Sequence, residues 1–242
     1  SVQVVGTTAD TSSVQLIKHS ANSASCTLDL TKSRNATKGS NTIVQDDDVL
    51  GQITFRGDDG TDLNSTGATI SAAVDGTPGS NDMPGRLMFN TTSDGANSAS
   101  ERLRITSTGT VLKGLTTARV NFGNNTSGVE YGFQIEGTTG ITAGLAIVRN
   151  SNDANDGGIV LGKTRATSTG GNTVVQAGDD LGNISFAGSD GTSLQLGAEI
   201  FAEVQTGVGN DDLPTDLIVK TNGGTTSTTE RLRITSAGKI KV

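Results

Sequence analysis

The sequence predicts an all-β protein. Three observations carry that reading. Apolar residues alternate with polar ones at a period of two, Asp-Gly clusters separate the alternating runs, and no stretch of twelve residues shows a helical stripe. In chain order, Gln52-Ile53-Thr54-Phe55-Arg56 is the first clear strand, and Ala68-Thr69-Ile70-Ser71-Ala72 with Val74 follows the cluster Gly57-Asp58-Asp59-Gly60. Arg86-Leu87-Met88-Phe89 comes after Asp75-Gly76-Thr77-Pro78-Gly79, and Arg102-Leu103-Arg104-Ile105 after Ser93-Asp94-Gly95. Asp-Gly pairs supply the positive φ angles that hairpin turns require. The same alternations return at Asn183-Ile184-Ser185-Phe186, at Ile200, Ala202 and Val204, at Asp216-Leu217-Ile218-Val219, and at Arg231-Leu232-Arg233-Ile234. Each run places Ile, Val, Leu, Ala or Phe on one face, which the pattern assigns to the interior.

That return is a tandem repeat. NTIVQDDDVLGQITFRGDDGTDL at 41–63 matches NTVVQAGDDLGNISFAGSDGTSL at 172–194, and ERLRITS at 101–107 recurs unchanged at 230–236. VQVVGTT at 2–8 pairs with FQIEGTT at 133–139, and LTKSR at 30–34 with LGKTR at 161–165. The spacing stays near 130 residues, which divides the chain into one β unit at 1–112, a bridging segment at 113–131 and a second β unit at 132–242. Each unit is expected to supply about six short strands. Both run nearly to the chain ends, as in a piece of a longer array.

Composition narrows the function classes. Of 242 residues 33 are glycine, 32% are apolar and 3% aromatic, with one tyrosine and no tryptophan, so the core of each unit is thin. No apolar run approaches the roughly 18 residues of a membrane span, and membrane insertion is not expected. A net charge of −7 without a Lys/Arg cluster argues against nucleic acid as a partner. The single cysteine, Cys26, has no partner for a disulfide within the chain and is expected to face inward beside Leu28 and Leu30. Strand faces carrying only two to four medium side chains can hardly offset the ordering of so glycine-rich a backbone. The chain is therefore expected to be an obligate oligomer, of an order that this argument leaves open.

The repeated motifs also carry a resemblance. ERLRITS with its glycine two residues on, at 101–109 and 230–238, resembles a motif of bacteriophage tail fibres and related virion fibres. The stretch at 41–63, together with VDGTPGSNDMPGRLMF at 74–89, is similar to repeated fibre modules of phages. The resemblance implies an elongated repeat fibre built as an intertwined homotrimeric β shaft, β-prism or β-helix-like. It implies a structural part in the virion, associated with other tail or head proteins, that projects a host-recognition tip toward a cell-surface glycan or protein. The sequence departs from the family after the motif, where a glycine-rich strand gives way to Gly109-Thr110-Val111-Leu112-Lys113 and Gly238-Lys239-Ile240-Lys241-Val242. Alternatives are a head decoration or whisker fibre, a bacterial surface adhesin or filament subunit, and a polysaccharide-cleaving tailspike.

Residue chemistry points away from catalysis. The lone histidine, His19, aligns with Asn150 of the second unit, so neither a histidine-based triad nor a zinc site of ordinary spacing is expected. Most carboxylates sit in turn clusters, among them Asp46-Asp47-Asp48 and Asp58-Asp59, where aspartate bonds its own backbone. Asp58-Asp59-Gly60-Thr61-Asp62 loosely resembles a calcium loop, but it lacks the closing glutamate and becomes Ser189-Asp190-Gly191-Thr192-Ser193 in the second unit. No catalytic residue, metal ligand or cofactor is assigned. Sequons at Asn35, Asn64, Asn90, Asn124, Asn125 and Asn183 follow from the Ser/Thr-rich composition. The notable charged feature is Glu101, Arg102 and Arg104, repeated as Glu230, Arg231 and Arg233. Strict alternation puts Arg102 and Arg104 on one face, opposite Leu103 and Ile105. The expected role is inter-subunit, with forked bonds to acidic turns of a neighbouring subunit; the competing role is contact with an anion or sugar.

Overall fold

The computed structural model describes residues 3–8, 11–122 and 130–242. The sequons at Asn124 and Asn125 fall outside the described residues. The chain separates into two compact units, Ser1–Thr108 and Gly109–Val242, the bridging segment belonging to the second. All regular structure among the described residues is β.

In the first unit β1 (Val49–Gly57), β2 (Ser65–Val74), β3 (Gly85–Thr91) and β4 (Ser100–Ile105) lie side by side in sequence order, each antiparallel to the next. In the second unit the short strands β5 (Val111–Lys113) and β6 (Phe133–Ile135) pair in parallel. There β7 (Asp180–Ser189), β8 (Leu194–Val204), β9 (Thr215–Asn222), β10 (Thr228–Ile234) and β11 (Ile240–Lys241) form an antiparallel sheet in sequence order. Strands β7 to β10 repeat β1 to β4 down to their irregularities. Bulges interrupt β1 after Val49 and after Phe55, and β7 after Asp180 and after Phe186. Against the expected six strands per unit, the first unit has four among the described residues and the second seven, three of them short, and the residues at 11–48 and 138–179 carry none. Their alternation is real, but an extended segment becomes a strand only when a partner pairs with it. Cys26 is accordingly exposed, its thiol donating to the Leu16 carbonyl at 3.2 Å, rather than packed inward.

Register gives the repeat its physical meaning. Three rows cross one face of the first sheet: Gly51, Ala72, Leu87 and Ile105; then Ile53, Ile70, Phe89 and Leu103; then Phe55, Ala68, Thr91 and Ser100. The second sheet presents Gly182, Ala202, Leu217 and Ile234; then Ile184, Ile200, Val219 and Leu232; then Phe186, Ala198, Thr221 and Thr229. Ten of these twelve positions carry the same residue in both units. On the opposite face only Arg104 with Arg233 and Glu101 with Glu230 are shared, out of eleven.

Within the chain, it is the second of these faces that is covered. Thr69, Ser71, Ala73 and Met88 are buried there, as are Phe201, Asp216 and Ile218 in the second unit. The apolar face lies open: Phe55 and Phe186 are 52% and 54% exposed, and Ile53 and Ile184 45% and 56%. The alternation was read correctly, but its assignment to a buried interior is corrected here. One sheet layer has two faces, and among the described residues no second sheet lies over the apolar one.

The glycine of the first row admits another chain segment. A Cβ at Gly51 would lie 2.4 Å from the Leu30 Cβ, and one at Gly182 would lie 2.5 Å from the Leu161 Cβ. Leu30 and Leu161 are repeat equivalents, so each strand-free segment crosses its sheet at the same point. Gly51→Ala is expected to destabilise by about 1–3 kcal/mol, the usual range for overpacking, whereas Gly57→Ala, with nothing near its added carbon, should stay within roughly 0.5 kcal/mol. Thermal denaturation of both variants checks this, and equal melting temperatures would contradict the close approach.

Candidate functional site

Charged side chains organise the edges and the covered face of each sheet. The Arg34 Nε and Nη2 donate to Asp48 Oδ2 and Oδ1 at 2.6 and 2.8 Å, and Asp48 also accepts the Gln45 amide at 3.0 Å. Arg165 and Asp179 repeat the fork at 2.7 and 2.8 Å, with the Gln176 amide at 3.0 Å. These bonds hold the Asp48 carboxyl far below the usual carboxylate range and lower that of Asp179 to about 2. Sequence reasoning passed over both pairs. The available signal was an arginine 14 residues before an aspartate in each repeat.

The sequence-predicted candidates lie on β4 (Glu101, Arg102, Arg104) and β10 (Glu230, Arg231, Arg233). A bulge at Arg102 and another at Arg231 change which of them meet. Leu103 pairs with Phe89 and Glu101 with Asn90, so Arg102 is the extra residue; Leu232 and Glu230 bracket Arg231 in the same way. The bulge brings Glu101 and Arg104, three residues apart, onto one face, and their bidentate pair closes at 2.8 Å on both nitrogens. Arg233 grips Glu230 likewise, at 2.9 and 2.8 Å. Arg102 turns instead to the apolar side, where its Nε donates to Thr91 Oγ1 at 3.0 Å and its Nη2 to Ser93 Oγ at 2.6 Å. Arg231 reaches Thr221 Oγ1 at 3.1 Å. The expectation that Arg102 and Arg104 share a face is therefore corrected; a bulge adds a residue without breaking the alternation of letters.

Around these arginines the two units solve one problem in two ways. The turn after the ERLRI strand presents a backbone amide, that of Ser107 or Ser236, which a carboxylate accepts. In the first unit the acceptor is Asp75 Oδ2 at 2.8 Å; in the second it is Asp216 Oδ1 at 2.7 Å. Asp216 aligns with Arg86. Burial alone would lower the Arg86 pKa, but the carboxylates of Asp47 at 2.5 Å and Asp75 at 3.2 Å outweigh it and leave it raised. In the second unit Arg233 sits among Glu230, Asp216 and Glu203, the latter two at 2.8 and 2.9 Å; they raise its pKa strongly, and its bond to Asp216 in turn lowers the pKa of that carboxyl.

Besides a recess of about 200 Å³ at Leu145, Ile147 and Ile159, the second unit holds two larger ones among its described residues. One of about 400 Å³ is lined by Arg119, Phe122, Tyr131, Phe133 and Glu136, with Phe122 and Tyr131 in edge-to-face contact at 5.0 Å. Its carboxylate, Glu136, is held by Arg119 at 2.5 and 3.1 Å. The other, about 260 Å³, lies where Lys220 stands 4.2 Å over the Phe201 ring. His19 is exposed. Among the described residues no group of three His, Cys, Asp or Glu is placed to hold a metal ion. Asp59, in the loop weighed for calcium, accepts Ser65 Oγ and the Thr61 and Asp62 amides, which lower its pKa to about 2.

The fold, an all-β chain with an open apolar face in each unit, resembles that of a phage tail fibre domain. The carboxy-terminal domain of the bacteriophage T5 L-shaped tail fibre superposes with a TM-score of 0.75 at 13% identity, over 95% of this chain and 90% of that one. A structure of the same T5 domain with its intra-molecular chaperone domain gives 0.64 at 14% identity, over 94% of this chain and 62% of that one. No protein-family model and no curated protein sequence matches the chain.

Acid should expose the clamps. The Asp179 carboxyl is depressed from 3.8 to about 2 in the folded chain. Its contribution is present above the unfolded value and lost as pH falls through the folded one. Pepsin cleavage within 139–179 is therefore expected to begin as pH drops from about 4 toward 2. Arg165→Ala should move that onset upward, and an unchanged cleavage profile would show that the pair anchors nothing.

Proposed function

We propose that this chain is a non-enzymatic structural segment of a phage tail fibre. It assembles as an intertwined homotrimer and carries a host-recognition tip away from the virion for attachment. The observation that carries this reading is the repeated apolar face. It is open, it carries no charge in its three rows, and it is the same at ten of twelve positions in both units, while the opposite face diverges. A surface that packs against copies of itself must keep its residues, whereas a face covered within its own chain can be rewired locally. Closure of three such faces about an axis buries them and doubles as edge protection.

The strand-free segments support intertwining. Val14, Leu16, Ile17, Leu28 and Ile43 in the first unit, and Leu145, Val148, Ile159 and Val160 in the second, are exposed on backbone that lacks a strand partner in its own chain. The likeness to the T5 tail fibre domain supports the tail over a head fibre. The non-enzymatic reading rests on the carboxylates: Glu101, Glu203, Asp216 and Glu230 on the covered faces bind arginines, Glu199, which with Asp180 lines the 260 Å³ recess, accepts the Thr228 hydroxyl, Asp59 in a turn binds backbone amides, and the 400 Å³ recess offers only the Arg119-bound Glu136. Release of reducing ends from host polysaccharide would overturn it.

Light scattering of the 242-residue chain should give close to three times 24.5 kDa. Phe55→Asp with Phe186→Asp should drop the mass to one chain while leaving β content intact, because a buried unpaired carboxylate costs several kcal/mol. A folded wild-type monomer at micromolar concentration would overturn the assembly.

A further inference from the structure

Phe89 and Val219 hold the one interior position of the apolar face at which the two units differ. Both stand in the middle row. Phe89 lies between Ile70 and Leu103, and Val219 between Ile200 and Leu232. The other difference, Ser100 against Thr229, is an exposed hydroxyl residue at the rim of the third row, so the faces of the two units are nearly interchangeable partners. Interchangeable faces create a hazard. If copies associate one unit out of step, the first unit of one chain meets the second unit of the next. Each contact is then satisfied, but a face is left open at both ends, and such a head-to-tail arrangement grows without closing.

We propose that the Phe89/Val219 difference sets the register in which copies of this chain associate. The proposal rests on the self-association put forward above. In step, Phe89 meets Phe89 and Val219 meets Val219, so one level of the core is packed around rings and the other around branched aliphatic side chains. Out of step, a ring enters a level shaped for valine while a valine leaves a void where a ring belongs, and both overpacking and cavities are unfavourable. The discrimination works through a penalty on the wrong arrangement. The polar faces, though they differ at nine of eleven positions, lie on the other side of each sheet. The rim contacts of Arg102 with Thr91 and of Arg231 with Thr221 are alike in both units. Neither can distinguish the registers.

Four full-length chains test this by light scattering over a tenfold concentration range: wild type, Phe89→Val, Val219→Phe, and the swapped double variant. The wild type should hold one mass near three chains. Each single variant makes the interior of the two faces identical and should yield masses that climb with concentration, by about twofold or more. The swap restores a difference and should return a single closed species. Single variants that both keep the wild-type mass would overturn the register role while leaving the trimer standing. So would a Phe89→Val chain that merely dissociates beside an unchanged Val219→Phe chain, since that pattern reports packing alone. A wild type of one chain mass would instead overturn the self-association beneath the proposal.

Discussion

A β-sheet has two faces, and side chains that alternate along each strand must be accommodated on both. In this chain the two faces meet that constraint by different means. One is closed from within by the long side chains it carries. Arg104 lies across β3 with its Nη2 3.8 Å from the Met88 sulfur, and Arg233 spans from β10 over β9 to Glu203 on β8. Met88 and Ile218 are buried under that cover. The other face bears Ala, Ile, Leu, Val and Phe, which are too short and too uniform to cover themselves. Its burial needs a second layer, and the rest of the molecule's behaviour turns on where that layer comes from.

The self-covered face shows how loosely sequence is held when the requirement is local. The amide of Ser107 or Ser236 finds a carboxylate acceptor, and a hydrogen bond to a charged group is stronger than a neutral one. Asp75 supplies it in one unit and Asp216 in the other. The surrounding charges are redistributed to match: Arg86 stands where Asp216 does, Ala73 where Glu203 does, and Asp47 where Gly178 does. The last exchange is possible because both residues sit at positive φ, 68° and 86°, a conformation that glycine adopts freely and aspartate tolerates. Only Glu101 with Arg104, and Glu230 with Arg233, persist on that face, since the bulge preceding each arginine fixes their reach.

Much of this could be read from the residues alone. The alternation located β1 to β4 and β7 to β10, and the repeat aligned them, because one-sided strands carry their period in the letters. The failures have physical causes as well. Arg102 to Ile105 reads as unbroken alternation, and nothing in the letters marks Arg102 as the extra residue of a bulge. Cys26, Leu28 and Leu30 alternate like a buried strand, but alternation reports the shape of a segment rather than whether a neighbour pairs with it. Arg34 with Asp48 and Arg165 with Asp179 were legible only as a shared separation, since fourteen residues of intervening chain fix no distance. The open apolar face was misassigned for a related reason: periodicity identifies the face to be buried without saying which molecule buries it.

The contrast between the two faces then has a mechanical explanation under the proposed assembly. On the self-covered face a substitution acts once per chain, and a nearby charge change can compensate it, as the rewiring around Ser107 and Ser236 illustrates. On a face packed about a symmetry axis every substitution enters all copies at once. The added or lost volume is multiplied where the side chains converge, and close-packed interiors respond to a change of even one methylene. Compensation would have to come from the same position on the other copies, which carry the same altered residue. A face under that condition tolerates few solutions. Two units holding the same residues at ten of twelve apolar-face positions, and at two of eleven polar ones, are what such a condition produces.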